Sequence, residues 1–130
     1  MNEKKARMPQ ERIEPIEAID SSILASLREL QGEGEPDIVK EIGGLFIKYS
    51  PDKISAIEKA AEEEDSKALL VAAHSLKSSS AYIGAMRLSA ICKELEEMGR
   101  TGNLEQATDK AKELKAEYER VRTSLEKEMK

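Results

Sequence analysis

The chain has 130 residues, 36% of them charged and only 3% aromatic, and it carries a formal net charge of −5. That length suits one domain built on one core, and an acidic balance without a long basic block argues against a nucleic-acid backbone as partner. No apolar run approaches the ~20 residues of a membrane span, no polybasic patch suggests a membrane surface and no signal-peptide core lies near the N-terminus, so a cytoplasmic location is expected. Ala, Glu, Lys and Leu dominate, which predicts an all-α fold of helices packed on helices. Cys92 is the single cysteine. No intramolecular disulfide can form, and the spacing of Cys92 from Leu88 and Leu95 puts it on a core face.

Residues 1–17 form a polar lead with Pro9 and Pro15, expected to be a tail or linker, and the helical domain is expected over 18–130. Ile13, Ile16 and Ile19 make a thin apolar row along this lead. Asp20 or Ser21 can cap a short helix holding Ile23, Leu24, Leu27 and Leu30, which the Gly-rich QGEGEP stretch ends. Asp37 can cap a long segment with Ile38, Val39, Ile42, Leu45, Phe46 and Tyr49 on one stripe, resumed at Ile54, Ile57 and Ala61. Pro51 interrupts it, so one kinked helix and two abutting helices both fit, and we read one kinked helix.

The acidic run Glu62–Asp65 lacks the His or Asp cluster a metal site needs and is expected to be a solvated helix end. A helix from about Ser66 to Ile83 follows, closed by Gly84, a residue suited to a left-handed turn. The next helix runs from about Met86 to Arg100 and buries Leu88, Ile91, Cys92, Leu95 and Met98, until Thr101, Gly102 and Asn103 stop it. The last places Leu104, Ala107, Ala111, Leu114, Tyr118, Val121 and Leu125 in alternating steps of three and four, the seam of an antiparallel bundle. The expected architecture is therefore an antiparallel up-and-down four-helix bundle with one or two short N-terminal helices.

His74 stands apart from this pattern. Leu69, Ala72, Ala73, Leu76, Ser80 and Ile83 mark the buried face of its helix, and at roughly 100° per residue His74 lies about 140° from Leu69 and about 160° from Leu76. It faces solvent. Lys77, Ser78 and Ala81 share that face, so an imidazole stands beside an ammonium among small side chains. Spacing alone leaves an ordinary surface histidine as an equally simple explanation.

The stretch HSLKSSSAYIGAMRL, followed by KELEEMGR, resembles the histidine-containing phosphotransfer domain of multistep phosphorelays. That family's usual signature is a histidine, any residue, Leu, Lys, Gly, then small residues and a Gly-Ala or Gly-Leu further on. The likeness extends more loosely over residues 18–128. Ser78 departs from it, standing where Gly is usual; a serine is still small enough to admit a partner, and its hydroxyl, near a phosphoryl group on the histidine, is expected to alter the transfer rate.

The resemblance implies that His74 accepts a phosphoryl group from a receiver-domain aspartate and passes it to another, or back. Imidazole suits that role, since its unperturbed pKa of about 6.5 leaves it largely neutral near pH 7. Positioning and charge matter most in such a transfer. Lys77 is then expected to attract the phosphoryl oxygens, and Glu96 to accept a hydrogen bond from the imidazole Nδ1, with pairing to Arg100 as the simpler alternative for Glu96. Ser78, Ala81 and Arg100 become candidates for partner contact, and Ile13, Ile16, Ile19 and Leu24 are expected to extend an apolar docking patch around His74.

The implied partners are response-regulator receiver domains and a sensor histidine kinase or hybrid kinase. No nucleic acid and no direct membrane contact are expected, and a monomer is. The chain is expected to hold no cofactor or metal of its own, with Mg²⁺ only in the receiver, and without a Gly-rich phosphate loop to show no autonomous ATP-dependent kinase activity. Met1 fits a free-standing protein, whereas the Pro-containing lead looks like the linker of a larger kinase. Two other classes compete: a non-phosphorylated helical adaptor, and a hydrolase using His74 as a base, which lacks a second convergent catalytic group.

Overall fold

Three aspartates start the first three helices. In the computed structural model, which describes residues 17–130, Asp20 accepts a hydrogen bond from the Ser22 amide and opens α1 (Ser21–Glu29). Asp37 accepts from the Val39 and Lys40 amides and opens α2 (Ile38–Glu62), and Asp65 accepts from the Ala68 amide and opens α3 (Ser66–Tyr82). Each carboxylate satisfies an amide that a helix start would leave unpaired. α4 (Met86–Thr101) and α5 (Ala107–Glu128) complete the order, and the described residues contain no strand.

α2 is continuous through Pro51. Proline removes the amide that would bond the Ile47 carbonyl, but Phe46 and Ser50 before it and Ile54 and Ile57 after it are all buried, so packing on both sides holds the helix together. α2 packs on α3 and α5, and α4 packs on α3 and α5. The four long helices therefore close a ring in chain order, the arrangement of an up-and-down bundle. Leu69, Leu76, Leu88, Leu95, Leu114 and Val121 fill its centre, and the Phe46 and Tyr118 rings meet at 5.9 Å between α2 and α5. Cys92 lies fully buried in this core, and burial pushes its thiol up to about 12. On the α4–α5 side, the buried carboxylate of Glu117 accepts from Arg120 at 2.8 Å and pairs with Arg87 at 3.4 Å.

The N-terminal segment closes one end of the bundle. The Asp20 amide donates to the Gly84 carbonyl at 2.8 Å, and Gly84 has φ +88°, where a Cβ would sit 3.1 Å from the Asp20 carbonyl oxygen. Only glycine satisfies both the left-handed turn and this close approach.

The docking expectation for Ile19 and Leu24 is corrected here. They are 5% and 2% exposed and belong to the core: Leu24 lies on the one apolar stripe that a helix as short as α1 must spend on the bundle to be held at all, and Ile19 precedes the Asp20 cap, where the chain is tied to the Gly84 carbonyl. Ile13 and Ile16 lie outside the described residues. Two smaller differences have local causes. Leu30 is 75% exposed, since it caps α1 after the stripe has ended. Leu104 lies in the turn before α5, where the Asn103 amide donates to Thr101 Oγ1 and the Glu105 amide to Asn103 Oδ1, local bonds that compete with helix.

Candidate functional site

His74 sits midway along α3, and Ala73 and Leu76 beside it are fully buried. Those neighbours fix the rotation of the helix, so the imidazole points outward with 62% of its side chain exposed. α4 supplies the partner. Leu95 and Cys92 anchor that helix in the core, which turns Glu96 toward α3.

The Glu96 carboxylate uses both oxygens. Oε2 lies 2.7 Å from His74 Nδ1, and Oε1 lies 2.6 Å from Lys77 Nζ. The hydrogen bond from Lys77 holds the carboxyl below the usual carboxylate range, the bond from His74 adds to it, and partial burial opposes both. An ionised carboxylate is acceptor-only. Nδ1 therefore donates, and in the neutral imidazole the lone pair is left on Nε2, which faces solvent.

The remaining side chains are arranged around this pair. Ser78 is exposed one turn along, its hydroxyl donating to the His74 carbonyl at 3.3 Å. Ala81 is half-buried on the same face. Ser89 on α4 donates its hydroxyl to the Lys77 carbonyl at 3.2 Å, tying the helices together beside the site. Arg100 is exposed and pairs with Glu97, not with Glu96, so the simpler alternative for Glu96 does not hold.

Of the residues expected from sequence, His74, Lys77 and Glu96 converge, Ser78 and Ala81 flank them, and Arg100 lies one helical turn beyond Glu96. Ile19 and Leu24 do not join them. Four exposed apolar residues went unrecognised as part of this surface: Leu45 and Tyr49 on α2, and Val71 and Tyr82 on α3, between 51% and 64% exposed. Leu45, Tyr49 and Tyr82 edge a groove over Phe46 and Ile83, and Val71 edges a second with Ala56 and Ala72. The signal was present in α2, whose apolar stripe is broader than one core face requires.

Fold and site together define a class: a helical bundle that presents one oriented, solvent-facing imidazole as a nucleophile. Comparison with known proteins agrees. A family model for the Hpt domain matches residues 41–124. Histidine-containing phosphotransfer protein 4 of Arabidopsis thaliana is 35% identical over 102 residues, covering 77% of this chain and 80% of that protein. Multistep phosphorelay regulator 1 of Schizosaccharomyces pombe is 29% identical over 89 residues, 68% of this chain and 30% of that longer protein. The crystal structure of histidine-containing phosphotransfer protein B from Pseudomonas aeruginosa PAO1 superposes with a TM-score of 0.77 at 30% identity, covering 86% of this chain and 94% of that one. The chain belongs to the Hpt domain family.

Proposed function

We propose that the chain is a phosphorelay intermediate in which His74 Nε2 carries the phosphoryl group. The observation that supports this most is the 2.7 Å contact between His74 Nδ1 and Glu96, which in the neutral imidazole puts the proton on Nδ1 and the lone pair on Nε2, on a side chain that is 62% exposed. Nε2 attacks the phosphorus of an aspartyl phosphate on a receiver domain. The N–P bond forms as the P–O bond breaks, and the aspartate leaves as carboxylate. Nδ1 keeps its proton, and Glu96 balances the positive charge that the ring gains. Lys77, within one turn of His74, offers its ammonium to the phosphoryl oxygens. Transfer to a second receiver is the same step reversed.

The apolar flank made by Leu45, Tyr49, Val71 and Tyr82 is the receiver-docking surface in this reading, with Ser78 and Ala81 at its edge and Arg100 contacting the receiver from the α4 side of His74. A sensor or hybrid kinase stands upstream, and the receiver, not this chain, holds the Mg²⁺. In this reading the chain works as a cytoplasmic monomer, and the net charge of −5 argues against nucleic acid as a partner. No helix among the described residues is long and apolar enough to cross a membrane. An adaptor role would give no reason for the bond between Glu96 and the imidazole.

Incubation with a phosphorylated receiver tests the proposal. Label should move to the chain, survive base, be lost in acid and be absent from His74→Gln. Transfer that persists in His74→Gln, or that no cognate receiver supports, would overturn it.

A further inference from the structure

Gly99 lies inside α4, where glycine costs roughly 0.5–1 kcal/mol relative to alanine. The reason for it is spatial. A Cβ at this position would stand 2.6 Å from the Leu70 amide nitrogen, 2.8 Å from the Ser66 carbonyl oxygen and 2.9 Å from Leu70 Cα. All three are backbone atoms of α3, which cannot swing aside as a side-chain end can. The two helices touch here backbone to backbone.

This contact is one turn from the site. Leu70 precedes His74 by four residues on α3, and Gly99 follows Glu96 by three on α4. The helices are antiparallel, so Leu70 with Gly99 and His74 with Glu96 form successive rungs across one interface. We infer that Gly99 is a positioning residue for phosphoryl transfer: the missing side chain lets α4 approach α3 closely enough for Glu96 to reach Nδ1 of His74 and hold Nε2 free. The inference rests on the phosphorelay reading and deepens it.

The distances set the expected size of the effect. Accommodating a Cβ at ordinary van der Waals separation moves α4 outward by about 1 Å. The 2.7 Å contact of His74 Nδ1 with Glu96 would then exceed the ~3.2 Å upper range of a good hydrogen bond. Lys77 does not compensate, because it holds the other oxygen of the same carboxylate.

Gly99→Ala is the direct test. The chain contains one histidine, so imidazole nitrogen NMR reports His74 alone and needs no phosphorylation. The variant should lose the Nδ1-protonated tautomer in favour of a mixture. Its transfer rate at saturating receiver should fall about 10- to 100-fold with receiver affinity unchanged, because the Glu96 carboxylate that orients the reacting nitrogen is displaced by about 1 Å. In a Glu96→Ala background the same substitution should cost nothing further. Glu117→Ala, which weakens the α4–α5 side, should lower the melting temperature without moving the tautomer.

Glu96→Asp keeps the falsifying power if Gly99→Ala does not fold. It shortens the reach from α4 while leaving the helix crossing intact, and should reproduce the mixed tautomer and slow transfer. A single Nδ1-protonated tautomer and normal rate in Gly99→Ala or Glu96→Asp would overturn the inference, as would additive losses in the double variant. The wild-type chain failing to take label at His74 would instead strike the phosphorelay reading.

Discussion

The two flanks of His74 are built from opposite materials. Toward α4 the imidazole meets charge, with Glu96 and Lys77 paired at 2.6 Å and only 19% and 30% exposed. Toward α2 it meets apolar surface, where Leu45, Tyr49, Val71 and Tyr82 stand in solvent. A carboxylate shared by two donors is preorganised before any partner arrives, so the charged flank can act on the reacting nitrogen without rearranging. The apolar flank gains only when another surface covers it. The difference separates two jobs: the α4 side should set the rate of transfer, and the α2 side the affinity for the receiver.

Substitutions can break that division, and the largest effect belongs to the residue both flanks serve. His74→Gln should abolish label transfer while leaving the circular dichroism and melting temperature close to wild type, since the side chain is outside the core. Next is Glu96→Ala, expected to slow transfer about 10- to 100-fold at saturating receiver with little change in affinity. Glu96→Gln should lose less, because its amide oxygen can still accept from Nδ1.

On the other flank, Val71→Ser or Tyr82→Ser should weaken receiver binding about tenfold each, equivalent to about 1.4 kcal/mol, and leave the saturated rate unchanged. Calorimetric titration paired with single-turnover kinetics distinguishes the two cases. If a Glu96 variant changed affinity alone, or Val71→Ser changed the rate alone, the division would fail. Ser78→Gly should change transfer by no more than about twofold, since the hydroxyl is engaged by the His74 carbonyl, and it should cost α3 about 0.5 kcal/mol of stability.

Acid sharpens the charged flank further. Glu96 is held below the usual carboxylate range by Lys77 and then by His74, so the native state binds its proton less readily than the unfolded chain does. The stability this contributes is complete above the ordinary carboxylate value of about 4.3 and disappears as the pH falls through the lower native value. The melting-temperature advantage of wild type over Glu96→Gln should therefore shrink as the pH falls below that ordinary carboxylate value.

The parts of this arrangement differ in how legible they were. The caps at Asp37 and Gly84, the long helices and the outward rotation of His74 follow from local rules, since each depends on residues within a turn or two. The partners of Glu96 are a different matter. Sequence spacing places Glu96 on a helix face, but whether that face meets His74 or Arg100 depends on how α4 slides and tilts against α3. Only the likeness to a family pointed to the imidazole, and the physical cause lies in the backbone contact at Gly99, a position with no periodic signal. Ile19 and Leu24 failed for a related reason. An apolar row at helical spacing says that one side will be covered, not whether the chain's own core or a partner covers it. Leu45 and Tyr49 show the converse, for residues assigned to a core stripe proved to be its exposed edge.

The sharpest test of the account asks which nitrogen of the chain's one imidazole carries the phosphoryl group. Nitrogen and phosphorus NMR on the chain phosphorylated by a receiver should show the N–P bond at Nε2 with Nδ1 still protonated against Glu96. A phosphoryl group on Nδ1, or on the hydroxyl of Ser78, would contradict it.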